Sequence, residues 1–400
     1  MKILVINSGS SSIKYELFNV HTHDEYTVLA KGVADRIGIS GAYIQHKKND
    51  EEEAIIDMDL PNHTTAIDAI HKLLVDHQHG VIENISEVEG VGHRVVHGGE
   101  DFTGSVLVGK QVIEAIKKNS ELAPLHNPPN LLGIEATSKT LPSVPQVAVF
   151  DTAIHQTMPP KAYLYGLSIE QYKKYAIRRY GFHGTSHGYV SKKAAETVGK
   201  SLKELKIITC HLGNGGSITA FLDGKSVDTS MGFTPLEGII MGTRCGDLDP
   251  FIPIYIMETQ DMTHEEVNIL MNKKGGLLAL TGKRDMRDVL QEAKQGSIDA
   301  INGIEMYVYR IQKYIGAYAA AMNGVDVIVF TAGIGENSFY IREKILKNFS
   351  YLGLILDTEA NNNNEIIIST EDSSIYAMAI KTNEELVIAT ETFDIISKKS

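Results

Sequence analysis

A strand–turn–strand pattern at the start of the chain constrains its fold more than any other feature. Ile3 to Ile6 is a short aliphatic run that leads into the small-residue turn Asn7 to Ser12. Ile13 to Phe18 then alternates apolar and polar residues. Such runs are typical of β-strands, and the small residues between them are typical of a tight turn. The sequence therefore predicts a β-hairpin at the beginning of the chain.

The same pattern occurs again in the second half of the chain. The run Lys206 to Cys210 leads into the small-residue turn His211 to Ser217, and another apolar run follows. Asn7 matches His211 in this comparison, with one residue of slack in the turn. Duplication of one α/β domain explains the match. Chance also explains it, because β-hairpins are common, and the sequence leaves both explanations open.

Helical patterns alternate with these strands. Thr64 to His79 and Gly303 to Met322 each carry an apolar stripe at helical spacing, and the strand Val325 to Phe330 precedes a glycine-rich passage. The alternation predicts a mixed α/β fold. The chain has 400 residues, which is long for a single core, so we expect two domains. The predicted domains are 1–150 with 384–400, and 151–383, because prolines interrupt the pattern before residue 147 and the last helix could return to the first domain.

Composition excludes several classes of protein. The formal net charge is −12 and the basic residues form no long run, which argues against a nucleic-acid partner. The first residues enter a strand without a secretory leader, and no run reaches the ~18 apolar residues of a spanning helix, so we expect a soluble cytoplasmic protein without a membrane partner. Cys210 and Cys245 lack the spacing of a disulfide framework or a zinc site.

Three small-residue loops are candidates for binding phosphate: Asn7 to Ser12, His211 to Ser217 and Gly333 to Asn337. Neither the Walker spacing nor the dinucleotide fingerprint is present. Exposed backbone N–H groups in such turns donate to phosphate oxygens, although a single loop is also explained by turn geometry alone. Three together favour a nucleotide. Asn337 and Ser338 are further predicted to cap a helix after the third loop.

Four segments place charged or imidazole groups beside glycine, near the ends of apolar runs. They are 91–99, 150–155, 180–187 and 241–250, with Arg94, Asp151, His183 and Arg244 as the principal candidates. For each residue alone a structural role is a full alternative: ion pairing for arginine, a satisfied core or capping position for His183 or His187, and helix capping for Asp151. His93, His97 and His155 are interpreted as structural.

Phosphoryl transfer explains this set of residue types. Planar guanidinium groups stabilise the charge on a transferring phosphoryl group and orient a carboxylate acceptor. Mg²⁺ prefers oxygen ligands and keeps several waters, so one or two of Asn7, Asp151 and a glutamate suffice. A carboxylate acceptor is already deprotonated at neutral pH and therefore needs no general base.

At this point the chain resembles the acetate kinase family over essentially its whole length. The segments that carry the resemblance are NSGSSSIKY from Asn7, GHRVVHGG from Gly92, FDTAIHQTMP from Phe150, YGFHGTSHGYVS from Tyr180, HLGNGGS from His211, MGTRCGDLDP from Met241, GIGEN from Gly333 and TNEEL from Thr382. The resemblance implies two duplicated ribonuclease-H-like domains of the actin and Hsp70 superfamily around a central cleft. It also implies a homodimer that phosphorylates acetate from ATP, giving acetyl phosphate and ADP by direct in-line transfer with Mg²⁺, or Mn²⁺ in its place.

The resemblance also implies a role for individual residues. The implied catalytic residues are Arg94, Asp151, His183 and Arg244. The implied substrate-binding residues are Lys14, Arg94, Val96, Leu125, His126, Phe182 and Pro235. The implied ATP-binding residues are Lys14, His211, Leu212, Gly213, Asn214, Gly215, Asp285, Met286, Arg287, Gly333, Ile334, Gly335, Glu336 and Asn337. The implied metal ligands are Asn7 and Glu384, with Glu385 as the rival to Glu384.

Two departures and two alternatives accompany this interpretation. Cys245 stands where the family usually has serine, and the loop Thr281 to Asp285 is about one residue short, which weakens the assignment of 285–287. A propionate or butyrate kinase is a close alternative, because one methylene in an apolar pocket changes binding by only ~1–3 kcal/mol. An ATP-driven clamp of the same superfamily is an alternative from a different class.

Overall fold

The computed structural model describes residues 1–48, 51–124 and 126–398. The chain divides into two compact units, one made of Met1–Ala153 with Asn383–Ser400 and the other of Ile154–Thr382. Within the described residues, no helix is both long and apolar enough to cross a membrane.

The first unit contains a mixed sheet flanked by helices. Its elements up to the end of the first segment are β1 (Lys2–Ser8), β2 (Ser12–Val20), β3 (Tyr26–Asp35), β4 (Tyr43–Lys48), β5 (Ala54–Asp57), α1 (His63–Leu74), β6 (Gly90–Val95), β7 (Val106–Leu107), α2 (Lys110–Lys118), α3 (Asn127–Thr140) and β8 (Gln146–Phe150).

The second unit contains a smaller sheet and most of the helices. Its elements are α4 (Pro160–Tyr163), α5 (Ile169–Tyr175), α6 (Gly184–Val198), β9 (Ile207–Leu212), β10 (Gly216–Leu222), β11 (Lys225–Thr229), α7 (Phe251–Gln260), α8 (His264–Lys273), α9 (Gly276–Thr281), α10 (Met286–Lys294), α11 (Ile298–Ala321), β12 (Val327–Thr331), α12 (Ala332–Asn337), α13 (Phe339–Leu346), α14 (Thr358–Asn362) and β13 (Tyr376–Ala379). The last helix, α15 (Glu384–Ser397), belongs to the first unit.

Five strands of the first sheet have the same order and pairing directions as the five strands of the second sheet. The described strands of the first unit run β5-β4-β3-β2-β1-β6-β8-β7, and those of the second run β11-β10-β9-β12-β13. The segment β3-β2-β1-β6-β8 therefore corresponds strand for strand to the second sheet. In each case the first three strands pair antiparallel and the last three pair parallel. This common topology confirms the predicted mixed α/β class with a duplicated domain.

Burial explains why β1 and β9 are central strands. Ile3 to Ile6 are all buried, and so are Ile207 to Leu212, because strands pair with both edges of each strand and helices cover its faces. Helices α3 and α15 pack on β1 and β6 in the first unit, while α6 and α12 pack on β9 in the second. The carboxyl ends of these strands carry the candidate site residues.

Three local predictions were wrong in their details. The predicted helix Thr64 to His79 ends at Leu74, because the Asp76 side chain accepts the N–H groups of residues 78 and 79 and turns the chain. The predicted loop Gly333 to Asn337 is the short helix α12, whose Ala332 N–H donates to the Glu336 carboxylate. Ser338 does precede α13, but its side chain accepts no capping hydrogen bond from it.

Candidate active site

The first cluster of site residues lies at the carboxyl ends of β6 and β8. These strands are parallel neighbours, with Arg94 opposite Val149, and Asp151 follows the end of β8 directly. The Arg94 guanidinium donates from Nη2 to Asp151 Oδ2 at 2.5 Å, and its Nε lies 3.9 Å from Glu384 Oε2. The parallel register therefore brings together three charged groups that are far apart in sequence.

Arg94 and Asp151 form an ion pair of low exposure. The side chain of Asp151 is 1% exposed and that of Arg94 is 20% exposed. Burial alone lowers the pKa of Arg94, but the carboxylates of Asp151 and Glu384 outweigh it and raise that pKa above its usual value. The Arg94 Nε–H is buried without a hydrogen-bond acceptor among the described residues. A buried donor in this state favours an anionic or carbonyl partner.

The predicted metal ligands lie at the start of α15 and the end of β1. Glu384 is the first residue of α15, and its side chain is 23% exposed beside Arg94. Glu385 instead lies near Glu16. Burial is the main cause that raises the pKa of Glu16, to about 7, and the charge of Glu385 is the second cause. Asn7 is half-buried and pairs across the hairpin with the exposed Lys14.

These oxygen donors fit Mg²⁺, which is held in proteins by one or two side-chain oxygens together with phosphate and water. Asn7 supplies an amide oxygen and Glu384 a partly exposed carboxylate, so neither is sealed away from water. Among the described residues, no group of three or more His, Cys, Asp or Glu side chains is arranged to hold a metal. An amide oxygen and a carboxylate are the kinds of donor that fit Mg²⁺, which takes its remaining ligands from phosphate and water.

Buried side chains that the sequence analysis missed hold the first turn and the segment after β6. The Asn130 side chain donates to Ser8 O at 2.8 Å and accepts from Val96 N–H at 3.0 Å. His63 donates from Nε2 to Gly9 O at 2.7 Å. Their signal is weak in sequence, because Asn and His in helices usually read as surface or capping residues. His126 stands at the N-cap position of α3, where its side chain accepts no capping hydrogen bond, and the predicted Leu125 lies outside the described residues.

In the second unit, His183 has an unusual backbone conformation. It precedes α6 with φ 56° and ψ 28°, the left-handed region that non-glycine residues seldom adopt. Its ring stacks on His211 with centroids 4.2 Å apart, and its Nδ1 lies 2.7 Å from Ser217 Oγ. Side chains on the neighbouring strands β9 and β10 thus fix the imidazole in place.

Arg244 is the second guanidinium of the candidate site. Its Nη1 donates to Pro235 O at 3.3 Å, and burial lowers its pKa. Within the described part of the chain, Arg244 has no carboxylate partner within 4.0 Å. A Cβ built on Gly215 would lie 3.6 Å from Arg244 Nη1 and 3.6 Å from His183 Nε2. The guanidinium and the imidazole therefore converge beside one glycine.

Two other predicted substrate residues belong to this unit. Phe182 precedes His183 directly, and Pro235 precedes Arg244 by nine residues. Phe182 is buried, and its carbonyl accepts from His155 Nε2 at 3.0 Å. His155 is thus a satisfied core histidine. Pro235 contributes its carbonyl to Arg244, as described above. The family resemblance implies that both residues bind the substrate, and that role stays a prediction.

A cavity of about 1310 Å³ lies in the second unit. That volume exceeds the ~300–1,000 Å³ of typical small-ligand sites. It is lined by most of the predicted nucleotide residues, namely Gly213, Asn214, Asp285, Met286, Arg287, Gly333, Ile334 and Asn337. Asp285 caps α10, and the Arg287 side chain that it binds lowers its pKa to about 2. The predicted residues 285–287 are therefore at the cavity despite the shortened loop.

Six other residues in the predicted nucleotide set have different positions. One of them, Lys14, lies on β2 of the first unit. His211, Leu212, Gly215, Gly335 and Glu336 do not line this cavity among the described residues. The fully buried Arg342 donates hydrogen bonds to the carbonyl oxygens of both Gly335 and Glu336. Ile301 and Ile304 of α11 also line the cavity and were not predicted from the sequence. Apolar residues at helical spacing are more typical of a packed core than of a ligand site.

Comparison with known proteins identifies the family. The model of the acetokinase family matches residues 2–390. The chain belongs to the acetokinase family. It is 55% identical over 399 residues to an acetate kinase of Halothermothrix orenii, covering 99% of this chain and 100% of that protein.

Two solved structures extend the comparison. The chain superposes on an acetate kinase of Porphyromonas gingivalis with TM-score 0.94 and 43% identity, covering 99% of each chain. It superposes on a propionate kinase of Francisella tularensis with TM-score 0.92 and 41% identity, covering 98% of this chain and 99% of that one. Membership of the acetokinase family confirms the sequence-based recognition and favours a kinase over the ATP-driven clamp.

Proposed function

We propose that the chain transfers the γ-phosphoryl group of ATP reversibly to acetate, giving acetyl phosphate and ADP by direct in-line displacement. One observation carries this proposal: the cavity of about 1310 Å³ reaches the turn at Gly213 and Asn214, and the next residue, Gly215, faces Arg244 and His183. Phosphates bound by this turn would meet a guanidinium that has no protein carboxylate within reach among the described residues.

The proposed roles follow from the charge of each group. Arg244 and the imidazole of His183 stabilise the negative charge that spreads over the transferring phosphoryl oxygens. Arg94 orients the carboxylate acceptor, and Asp151 holds Arg94 in position through their hydrogen bond. Asn7 and Glu384 hold Mg²⁺, which neutralises phosphate charge when it is bound. Because the acceptor has no proton to lose, no side chain has to act as general base.

The identity of the acid is the finest part of the proposal. Acetate is favoured because the curated relatives at 52–55% identity carry the name acetate kinase. A propionate kinase with the same fold supports a second candidate. We propose that Phe182 and Pro235 contact the methyl group of the acid and thereby discriminate between the two.

A hydroxamate assay tests the proposal. Protein, ATP and Mg²⁺ are incubated with acetate, propionate or butyrate in the presence of hydroxylamine, which traps the acyl phosphate. We expect acyl hydroxamate with all three acids and the highest kcat/KM with acetate. Arg94→Ala and Arg244→Ala should each lower the rate at least 100-fold with little change in ATP affinity, whereas Arg310→Ala, on α11, serves as the matched control. Absence of hydroxamate above a metal-free blank would refute the proposal.

We further propose a homodimer and a cytoplasmic location. Helix α7 carries large apolar side chains that are exposed in the single chain, Phe251, Ile252, Ile254 and Tyr255. A second copy of the chain would bury them. Sedimentation velocity should then return twice the 43.9 kDa chain mass. The cytoplasm is proposed because ATP is available there and because the chain carries two free thiols, Cys210 and Cys245.

A further inference from the structure

A buried polar layer connects α6 to the sheet of the second unit. On β9, Thr209 and His211 point to one face, while Ile208 and Cys210 belong to the apolar core on the other. Ser217, opposite His211 on β10, shares the polar face. Further along α6 the contacts become apolar. A polar layer inside a packed domain is costly unless every group in it is hydrogen-bonded.

Three short hydrogen bonds cross this layer and end at His183. Thr209 Oγ1 lies 2.7 Å from His187 Nδ1, His187 Nε2 lies 2.7 Å from Ser217 Oγ, and Ser217 Oγ lies 2.7 Å from His183 Nδ1. Thr209, His187 and Ser217 are all completely buried. Hydroxyls and ring nitrogens alternate along this chain of bonds. Ser217 has one proton for two rings, so its proton is bonded only if all three hydrogen bonds run in the same direction.

The protonation state of His187 leaves two directions open. Burial, with the nearby imidazoles of His211 and His155, lowers the pKa of His187 well below its ordinary value. His187 is therefore neutral, and one of its nitrogens donates while the other accepts. Protons run either from Thr209 toward His183 or from His183 toward Thr209.

The geometry at Thr209 selects the first direction. If protons ran toward Thr209, its own hydroxyl would have to donate to Thr219 O at 3.5 Å, which is at the outer limit of a hydrogen bond. If they run toward His183, the same hydroxyl donates to His187 at 2.7 Å. When the protons run toward His183, those of Thr209, His187 and Ser217 each lie in a 2.7 Å hydrogen bond.

We propose that His187 is a positioning residue that acts through Ser217 to hold His183 as the neutral tautomer protonated on Nε2. In this tautomer Nδ1 accepts from the Ser217 hydroxyl, and Nε2 carries a donor toward the space beside Gly215 and Arg244. A neutral donor avoids the repulsion that an imidazolium would experience beside the Arg244 guanidinium. The use of this donor on a phosphoryl group rests on the proposed function, but the tautomer itself does not.

Histidine ¹⁵N NMR on the whole protein at pH 7.5 reads the tautomer directly. Signals of His183 are assigned by their absence in His183→Gln. We expect a protonated Nε2 and an unprotonated Nδ1. A ring protonated on Nδ1, or on both nitrogens, would overturn the proposal, and this reading of the unsubstituted protein requires no variant other than the one used for assignment.

Kinetics of Ser217→Ala test the positioning role. Loss of the bond to Nδ1 should produce a mixture of His183 tautomers and lower kcat about 3- to 10-fold, the effect of one net hydrogen bond, with KM for ATP within twofold. Ser226→Ala is the matched control, because Ser226 is equally buried and its Oγ lies 2.9 Å from Nδ1 of another core histidine, His155. We expect it to leave kcat unchanged.

The outcomes separate this proposal from the proposed function. If Ser217→Ala changes neither the His183 spectrum nor kcat, the positioning role is wrong. If Ser226→Ala lowers kcat as much as Ser217→Ala does, the effect is general loss of packing and the role is again wrong. If His183 has the expected tautomer but the unsubstituted protein forms no acyl phosphate, the proposed function fails while the tautomer assignment holds.

Discussion

The Gly215→Ala substitution tests how closely His183 and Arg244 act together. The added methyl carbon would lie 3.6 Å from Arg244 Nη1, and equally far from Cε1 and Nε2 of His183. These are ordinary van der Waals distances, so the folded chain accommodates the methyl group without displacing its neighbours. Gly215 does not have a left-handed backbone, and alanine therefore introduces no backbone strain.

The expected loss of activity follows from this geometry. A phosphoryl oxygen bonded to both groups must approach each nitrogen to within ~2.7–3.2 Å, and the methyl group would occupy that space. Each hydrogen bond involving a charged group contributes ~1.5–3 kcal/mol, so the loss of both raises the barrier by ~3–6 kcal/mol. At 1.36 kcal/mol for each factor of ten, kcat should fall about 10²- to 10⁴-fold.

The assay measures acyl phosphate formation and thermal unfolding of the same preparations. Gly316→Ala, in the middle of α11, is the matched control, because a Cβ there has no heavy atom within 4 Å. We expect it to raise stability by ~0.5–1 kcal/mol with unchanged kcat, since alanine is the better helix former. A Gly215→Ala protein whose kcat stays within threefold of the unsubstituted value would refute the convergence of His183 and Arg244 on the phosphoryl group.

Two further predictions concern the carboxylates around α15. Glu384→Gln should raise the Mg²⁺ concentration for half-maximal activity at least tenfold more than Glu385→Gln, because Glu384 lies beside Arg94; equal shifts in a metal titration would contradict this assignment. Burial and Glu385 raise the pKa of Glu16 to about 7, whereas in the unfolded chain this carboxyl loses its proton near pH 4.5. The folded state therefore keeps a proton that the unfolded state has lost, and the free energy of unfolding falls as the pH rises from about 4.5 to about 7. Glu16→Gln should therefore be more stable than the unsubstituted chain by ~1–2 kcal/mol at pH 8 and equally stable at pH 4, as measured by urea unfolding; an equal difference at both values would exclude Glu16 as the cause.

Local sequence patterns predicted the architecture well because they report on single elements. The aliphatic runs at Ile3 and Ile207 are central strands, since only a strand covered on both faces is apolar at consecutive positions. The helix boundaries were less predictable. A side chain that competes for backbone N–H groups, as Asp76 does after α1, ends a helix whose apolar stripe continues. Glu336 similarly converts an expected glycine loop into α12.

Site residues were predictable as candidates but not as contacts. Arg94 and Asp151 each stand beside glycine or at the end of an apolar run, which makes them visible in sequence. Nothing in the sequence indicates that Arg94 donates to Asp151, since that depends on the parallel register of β6 and β8. For the same reason Asn130 and His63, which hold the first turn, carry only a weak sequence signal of their role.

The sequence by itself therefore determined the kind of protein: a duplicated α/β fold, small-residue turns suited to phosphate, and arginines suited to phosphoryl transfer. Only the tertiary structure decided which polar groups act together. For His187 the sequence left a functional role and a core or capping position open. The structure buries it completely, and two short hydrogen bonds through Ser217 join it to His183. Such coupling depends on distances between side chains that separate elements bring together, and a linear pattern specifies the elements without specifying those distances.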